Sequence, residues 1–489
     1  MHLVTVVCIY DCIACHFFGD CHRVGNDYYI RLLQLLNTLR LTMVEELVML
    51  DRSFYFIVVM WGPKYRNYFL EYCLPTLLAP GNLPALATKR PSRFLIATTL
   101  KDWRELCNTA IFREMQQYVE PVHIDIPPCP PDRSGCQHMN VGHQLACSMA
   151  YRDKAFGFVL TPDSMVSDGT LARLQELAHA GVELVVAAAL RFGEEPFFDH
   201  LTAMGLIPSR KRSESATPLI ISGQQMASAA VSSFHPETLS YEWDAPFLFA
   251  TVPAAWWRVP GEDGIVLHSL SWAPLLLDYG AVSEHDTSTL EQWTIDGDYL
   301  YKNLGRSTKV YVVQDSDEMF LASWTPMAES ASVFRPVRFF QTPFGKAIHR
   351  QLKLLQFCSS FYSDTFDPLR RKFFFLPVRW HGRPLNTSWS AVEKGATRTL
   401  LKSVTPSGKT ANSLLFALRT MTWFMRLFVI AIEERSKVFQ RIKLALSGDI
   451  NSLNRLLLNL KFEAYSIVGI DLPAPTPEMQ SSDADCPEA

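Results

Sequence analysis

The stretch FGFVLTPDSMVSDGTLARL, residues 156 to 174, reads as a strand, a turn and the start of a helix. Phe156 to Leu160 is an apolar run of strand length, TPDSMVSDG is a polar turn, and Leu171 and Leu174 open a helical spacing. A short apolar run without polar alternation suits a strand covered on both faces, the condition of a parallel sheet. The fold class then depends on whether neighbouring segments repeat the unit.

They do. Upstream, FYFIVVMWG (54–62) is a buried strand ending at Gly62, KYRNYFLEYCLPTLL has helical spacing, and PGNLPAL breaks it. RFLIATTL (93–100), KDWRELCNTAIFREMQQYV and VHIDIP add a strand, a helix and a third strand. The proline-rich PPCPPDRSGCQHMNVG (127–142) reads as a loop and QLACSMAYRD as a helix leading into Phe156. Downstream, ARLQELAHAG is a helix stopping at Gly181, and VELVVAAAL is the next strand. Such alternation predicts an α/β fold, with right-handed crossovers and a mixed, mainly parallel sheet between flanking helices.

Beyond about residue 190 the segments FLFATVPAAWWRV, IVLHSLSWAPLLLDYG and KVYVVQDSDEMF read as strands of mixed direction. The expected organisation is a partly helical N-terminal extension (1–53), an α/β domain (54–325), a mostly helical C-terminal region (326–470) and a tail (471–489) whose proline, serine and acid content is that of a disordered segment.

The composition, 48% hydrophobic and 19% charged, is that of a globular protein, and a formal net charge of −3 supplies no general attraction to nucleic acid or anionic membrane. The start MHLVTVV lacks a secretory signal, and 11 scattered cysteines suit a reducing setting, so a cytoplasmic protein is expected. The apolar stretch 413–432 carries Arg419 and Arg426, each costing about 2.5–3.5 kcal/mol at a bilayer centre. A packed helix, or one lying at a membrane surface, is expected there, with no transmembrane span.

In an open α/β sheet, ligands bind beyond the carboxyl ends of the strands, which directs attention to acids in those positions. Asp163 lies just past Leu160, where a carboxylate can bind Mg²⁺ or Mn²⁺ against a diphosphate, or simply form a Pro-Asp turn. Asp168 reads as the cap of the helix that follows. A rival pair, Asp315 and Asp317 with Glu318, follows the strand KVYVV, although acids at a strand end are also an ordinary solvated turn. His268, inside IVLHSL, is either a core histidine or a further metal or diphosphate ligand. Asp296 and Asp298 in TIDGDYL are candidates for a general base, or for an Asp-Gly turn.

WGPKYRNYFLEYCLPTLLAPGNLPAL, RFLIATTL and FGFVLTPDSMVSDGTL, taken in order, resemble bacterial sugar-nucleotide-dependent glycosyltransferases of the GT-A fold over residues 54–325. The resemblance implies transfer of a sugar from a nucleotide-sugar donor to a glycan or other hydroxyl acceptor, as in surface polysaccharide or glycoconjugate synthesis. It implies a D-x-D metal site after a mid-domain strand. Here the motif is P-D-S, so Asp163 matches one acidic position while Ser164 and Met165 supply no second carboxylate. By the same resemblance Trp61, Gly62, Tyr65 and Thr98 line the nucleotide, Asp163 with His268 holds Mn²⁺ or Mg²⁺, and Asp296 or Asp298 serves the acceptor. The incomplete motif also fits a degenerate member that binds nucleotide or glycan without catalysis.

At the N-terminus, Cys8, Cys12 and Cys15 have the C-x3-C-x2-C spacing with which radical S-adenosylmethionine enzymes hold an iron–sulfur cluster. Ala14 stands where an aromatic residue is usual, and no glycine-rich strand follows, so a chance cluster is the better reading. With Cys21, His16 and His22 nearby the ligands for zinc are also present, without a second knuckle.

Overall fold

Strand β1 (Phe54–Val59) is buried at every position because it runs through the middle of a seven-stranded sheet. The computed structural model describes residues 52–404, apart from 131–133, 209–216, 248–251, 292–293, 330–335, 337 and 363–367. The cysteine cluster Cys8, Cys12 and Cys15, the N-terminal extension up to residue 51, the apolar stretch 413–432 and the tail from 471 lie outside the described residues.

The other strands of the main sheet are β2 (Arg93–Thr98), β3 (Glu120–Asp125), β4 (Phe156–Leu160), β6 (Leu184–Ala188), β10 (Trp272–Asp278) and β11 (Val310–Val312). Their order is β11-β6-β10-β4-β1-β2-β3. All are parallel except β10, which runs antiparallel to both β4 and β6 with an irregularity between Pro274 and Leu276. The mixed, mainly parallel sheet expected from the sequence is therefore present. Its centre is a stack of aromatic rings, Phe94, Phe56 and Phe158, one from each of three adjacent strands, at centroid separations of 5.6 and 5.8 Å. Each such ring contributes about 1.5–3 kcal/mol by leaving water.

Two small sheets lie beside this one. The first has order β5-β12-β7, from β5 (Ser164–Val166), β12 (Leu321–Thr325) and β7 (Arg191–Gly193); the second has order β13-β9-β8, from β13 (Val378–His381), β9 (Gly264–Ser269) and β8 (Ala254–Arg258). The segment IVLHSLSWAPLLLDYG thus divides into two strands, β9 and β10, that belong to different sheets. Strand β13 comes from the region expected to be a separate helical part, yet it pairs antiparallel with β9. The compact unit begins at Arg52 and continues through residue 325 without a division.

The helices follow the expected alternation with three local departures. Gly62–Tyr68 continues through a π-helical turn, Phe69–Cys73, into Leu74–Leu77. The segment after β2 is two helices, Leu100–Cys107 and Ala110–Met115. The loop ahead of β4 is shorter than its prolines suggest, because the helix Gly135–Arg152 starts at a capping box: Ser134 Oγ accepts from Gln137 N–H, and the Gln137 side chain accepts from Ser134 N–H. That helix packs directly on β1 and β2. A Cβ on Gly142 would lie 2.6 Å from Ala97 Cβ and 2.8 Å from Val59 Cγ1, so glycine sets the close approach. Among the described residues no helix is long and apolar enough to cross a membrane.

Candidate functional site

The chain lays β1, β2 and β3 successively outward, then returns to place β4 on the other side of β1. The carboxyl ends of β1 and β4 therefore lie side by side where the order reverses, which is the crevice position of an open α/β sheet. Residues that follow β1, β2 and β4 converge there.

After β1, Trp61 caps the helix Gly62–Tyr68, and Gly62 adopts φ +78°, a left-handed conformation suited to glycine. This turn is fixed by Asp102, which is 5% exposed and accepts from Gly62 N–H at 3.0 Å, Thr99 Oγ1 at 2.8 Å and Arg66 at 2.5 Å. Burial opposes ionisation of Asp102, but these donors together hold its carboxyl below the usual range. Its part is to orient the loop.

Trp61 stands edge-on to His138, with ring centroids 5.0 Å apart. His138 Nε2 lies 2.8 Å from the Pro127 carbonyl and so carries the proton, which leaves Nδ1 as a buried acceptor without a protein partner. Thr98, at the end of β2, is fully buried, and its hydroxyl likewise has no protein partner. These are two of several such buried side-chain atoms among the described residues, His268 Nε2 being another.

After β4, Asp163 opens the first small sheet. Its carbonyl accepts from Trp324 N–H at 3.4 Å, and Ser164 pairs with Ser323. Desolvation raises the pKa of the Asp163 carboxyl, opposed by a hydrogen bond with Thr161 and by the positive charges of Arg191 and Lys64. Arg191 begins β7, and exposed Lys64 lies in the helix after β1 with Nζ 5.6 and 5.8 Å from the ring centres of Tyr65 and Tyr68. Tyr68 donates to Glu194 at 2.5 Å, and Tyr65 is 41% exposed. The crevice thus joins two carboxylates, Asp163 and the Tyr68-bonded Glu194, with two cations and a row of aromatic rings.

The donor set around Asp163 does not fit a protein-held Mn²⁺ or Mg²⁺. Ser164 is buried with its hydroxyl turned to the Thr161 carbonyl at 2.6 Å, and Met165 is in the core. Arg191 and Lys64 already supply positive charge beside Asp163, and the other carboxylate of the crevice, Glu194, is engaged by Tyr68.

The other residues singled out from the sequence are placed elsewhere. His268 is a core histidine in β9: Nδ1 donates to the Phe374 carbonyl at 2.9 Å, Nε2 is buried, and the rings of Trp257 and Phe374 flank it. Burial lowers its pKa to about 4, and the charge acting on it is Glu393, not Asp163. Asp296 is the N-cap of the helix Gly297–Leu304, its Oδ1 accepting from Asp298 N–H at 3.1 Å, and Asp298 is half-buried in the first turn. Asp168 is not a helix cap. Gly169, at φ +89°, occupies that position, and Asp168 Oδ1 accepts from Gly81 N–H.

The sequence reading missed Lys64, His138 and Arg191. Two of them carried a usable signal: Ser134 and Gln137 have capping-box spacing, which puts His138 on a helix above the strand ends, and Arg191 directly follows an apolar strand. No protein-family model matches the chain, and no curated protein matches it in sequence.

Proposed function

We propose that the crevice beyond β1 and β4 binds a nucleotide-activated sugar and that the protein is a glycosyltransferase of GT-A type. The observation that carries this reading is the convergence of Trp61, Lys64, Arg191 and Asp163 at the reversal point of the sheet. Trp61 and Tyr65 offer faces for the base, and Lys64 and Arg191 offer charge for the diphosphate. Asp163, with a raised pKa, accepts hydroxyl hydrogen bonds from the ribose or sugar.

In the transfer, the acceptor oxygen forms a bond to the anomeric carbon as the bond to the diphosphate oxygen breaks. The electron pair leaves with the nucleoside diphosphate, and Lys64 and Arg191 stabilise its growing charge. The acceptor proton passes to solvent, since Asp296 and Asp298 lie away from the crevice, Asp296 engaged as a helix cap and Tyr299 bonded to Tyr279 at the other end of β4. No step is routed through a metal ion, because the residues around Asp163 do not hold one.

The incomplete D-x-D motif at Asp163 also favours a second reading, a protein that binds the donor without turning it over. Thermal stability and slow hydrolysis, followed with UDP- and GDP-sugars, separate the two. A transferase gains stability with one donor and releases its nucleoside diphosphate, a binder gains stability only, and no shift with any donor removes both readings.

A further inference from the structure

A second polar cluster lies apart from this crevice, where the turn after β11 meets β13. Asp315 Oδ1 is 2.8 Å and Asp317 Oδ1 3.9 Å from His381 Nε2, and one ligand atom from each of the three residues lies within 4.8 Å of the others. His381 is 2% exposed, while Asp317 faces solvent.

We propose that Asp315, Asp317 and His381 bind a single first-row divalent metal ion, with Zn²⁺ foremost, in a site open to solvent on one side. The tautomer carries the first part of the case. The Arg383 carbonyl, 2.7 Å from Nδ1, can only accept, so Nδ1 holds a proton and Nε2 is turned to the two carboxylates, donating to Asp315 at 2.8 Å when protonated and offering a lone pair to a metal ion when neutral. Three acceptors facing one another need a positive charge between them. A proton can bridge one pair, whereas a metal ion serves all three.

The same arrangement is common around bound metals, where a ligating histidine donates its second N–H to a carbonyl and a ligating carboxylate is held by an outer hydrogen bond. Gln224 Nε2 supplies that bond, donating to Asp317 Oδ2 at 2.7 Å and leaving Oδ1 turned inward. Metal–ligand bonds of about 2.0–2.2 Å place tetrahedral ligand atoms about 3.4 Å apart, a value between the 2.8 and 3.9 Å present. Small rotations of the two carboxylates suffice.

The backbone around the cluster is fixed in advance. Ser316, between the two acids, donates its N–H to the Arg379 carbonyl at 2.9 Å and accepts from His381 N–H at 3.1 Å. A Cβ on Gly223 would fall 1.8 Å from the Ser316 carbonyl oxygen, so glycine lets the helix Gly223–Val231 close over the turn. The nearest cation, Arg379, lies 3.9 Å from Asp315 and is paired at 2.5 Å with Glu393, which leaves the cluster net negative. One imidazole with two carboxylates suits Zn²⁺, Co²⁺ or Mn²⁺ better than Mg²⁺ or Ca²⁺.

The test uses the full chain, freed of any histidine tag and treated with chelator, titrated calorimetrically with Zn²⁺, Co²⁺, Mn²⁺ and Mg²⁺. The expected result is one Zn²⁺ or Co²⁺ per chain at this site, weakened at least tenfold in Asp317→Asn and abolished in His381→Gln, with Mg²⁺ failing to compete. Asp317 is exposed, so its variant folds and decides the matter if the histidine variant does not. Co²⁺ spectra identify the ligands: nitrogen and oxygen ligation is expected, whereas a thiolate charge-transfer band assigns the ion to cysteines such as Cys8, Cys12 and Cys15. Affinity unchanged in Asp317→Asn, or no binding to the wild-type chain, overturns the proposal.

Discussion

Asp168 Oδ1 accepts a hydrogen bond of 2.6 Å from the backbone N–H of Gly81, a residue 87 positions earlier in the chain. The bond ties the loop ahead of β2 to the entry of the helix after Asp163. The two backbones touch: a Cβ on Gly81 would lie 2.5 Å from Gly169 N. Asp168→Ala should cost about 1–3 kcal/mol by stranding the Gly81 donor, while Asp168→Asn, which keeps an acceptor, costs much less. Gly81→Ala should be at least as damaging as Asp168→Ala. Urea unfolding of the three variants checks the order.

The crevice predicts separable effects on binding and stability. Arg191→Ala and Lys64→Ala should each weaken nucleoside diphosphate binding about tenfold, equivalent to about 1.4 kcal/mol, with little change in melting temperature. Isothermal titration at two salt concentrations measures both the loss and its electrostatic origin.

Asp163→Asn should abolish turnover without lowering stability. Burial raises the native pKa of Asp163 above its unfolded value, so the acid's contribution is fully present below the unfolded pKa and is lost as pH rises through the native one. The stability of the Asn variant relative to wild type should therefore increase as pH rises from the ordinary carboxylate range. A relative stability that falls over that interval is incompatible with the placement of Asp163.

His268 has the opposite linkage. Its native pKa is lowered to about 4 from an ordinary 6.5, so the unfolded chain binds the proton first and the stability from neutral burial is lost as pH falls between those values. His268→Gln keeps a donor for the Phe374 carbonyl and removes the titration. Its stability deficit relative to wild type should narrow by about 2–3 kcal/mol between pH 6.5 and 4, read from denaturant midpoints at each pH.

Gly142→Ala tests the contact that brings His138 over the strand ends. The added methyl group meets Ala97 and Val59 below 3 Å, and neither neighbour is a flexible chain that can swing away. A loss of about 1–3 kcal/mol is expected from thermal unfolding, together with weaker donor binding as the helix shifts.

Strands β1, β2, β4 and β6 were legible because each is an apolar run too short for a helix and flanked by a turn. Asp163 was legible as a strand-end acid, since position after an apolar run is local information. His381 was not: it meets Asp315 because β13 runs along the turn after β11, bridging Asp315 with Arg379, and no spacing in a sequence reports such a contact. His268 misled because an imidazole inside an apolar strand looks the same whether a carbonyl or a metal satisfies it. Asp168 misled because its partner, Gly81, is distant in the chain while the capping pattern is adjacent.

The turn bearing Asp163 is locked by β12, whose Ser323 pairs with Ser164. The crevice is therefore a late product of folding: a growing chain can lay down β1, β2 and β4, but Asp163 gains its fixed position only after residue 325 has emerged. Until then β5 lacks its partner strand β12, and an unpaired strand edge is a site for mispairing with a neighbour.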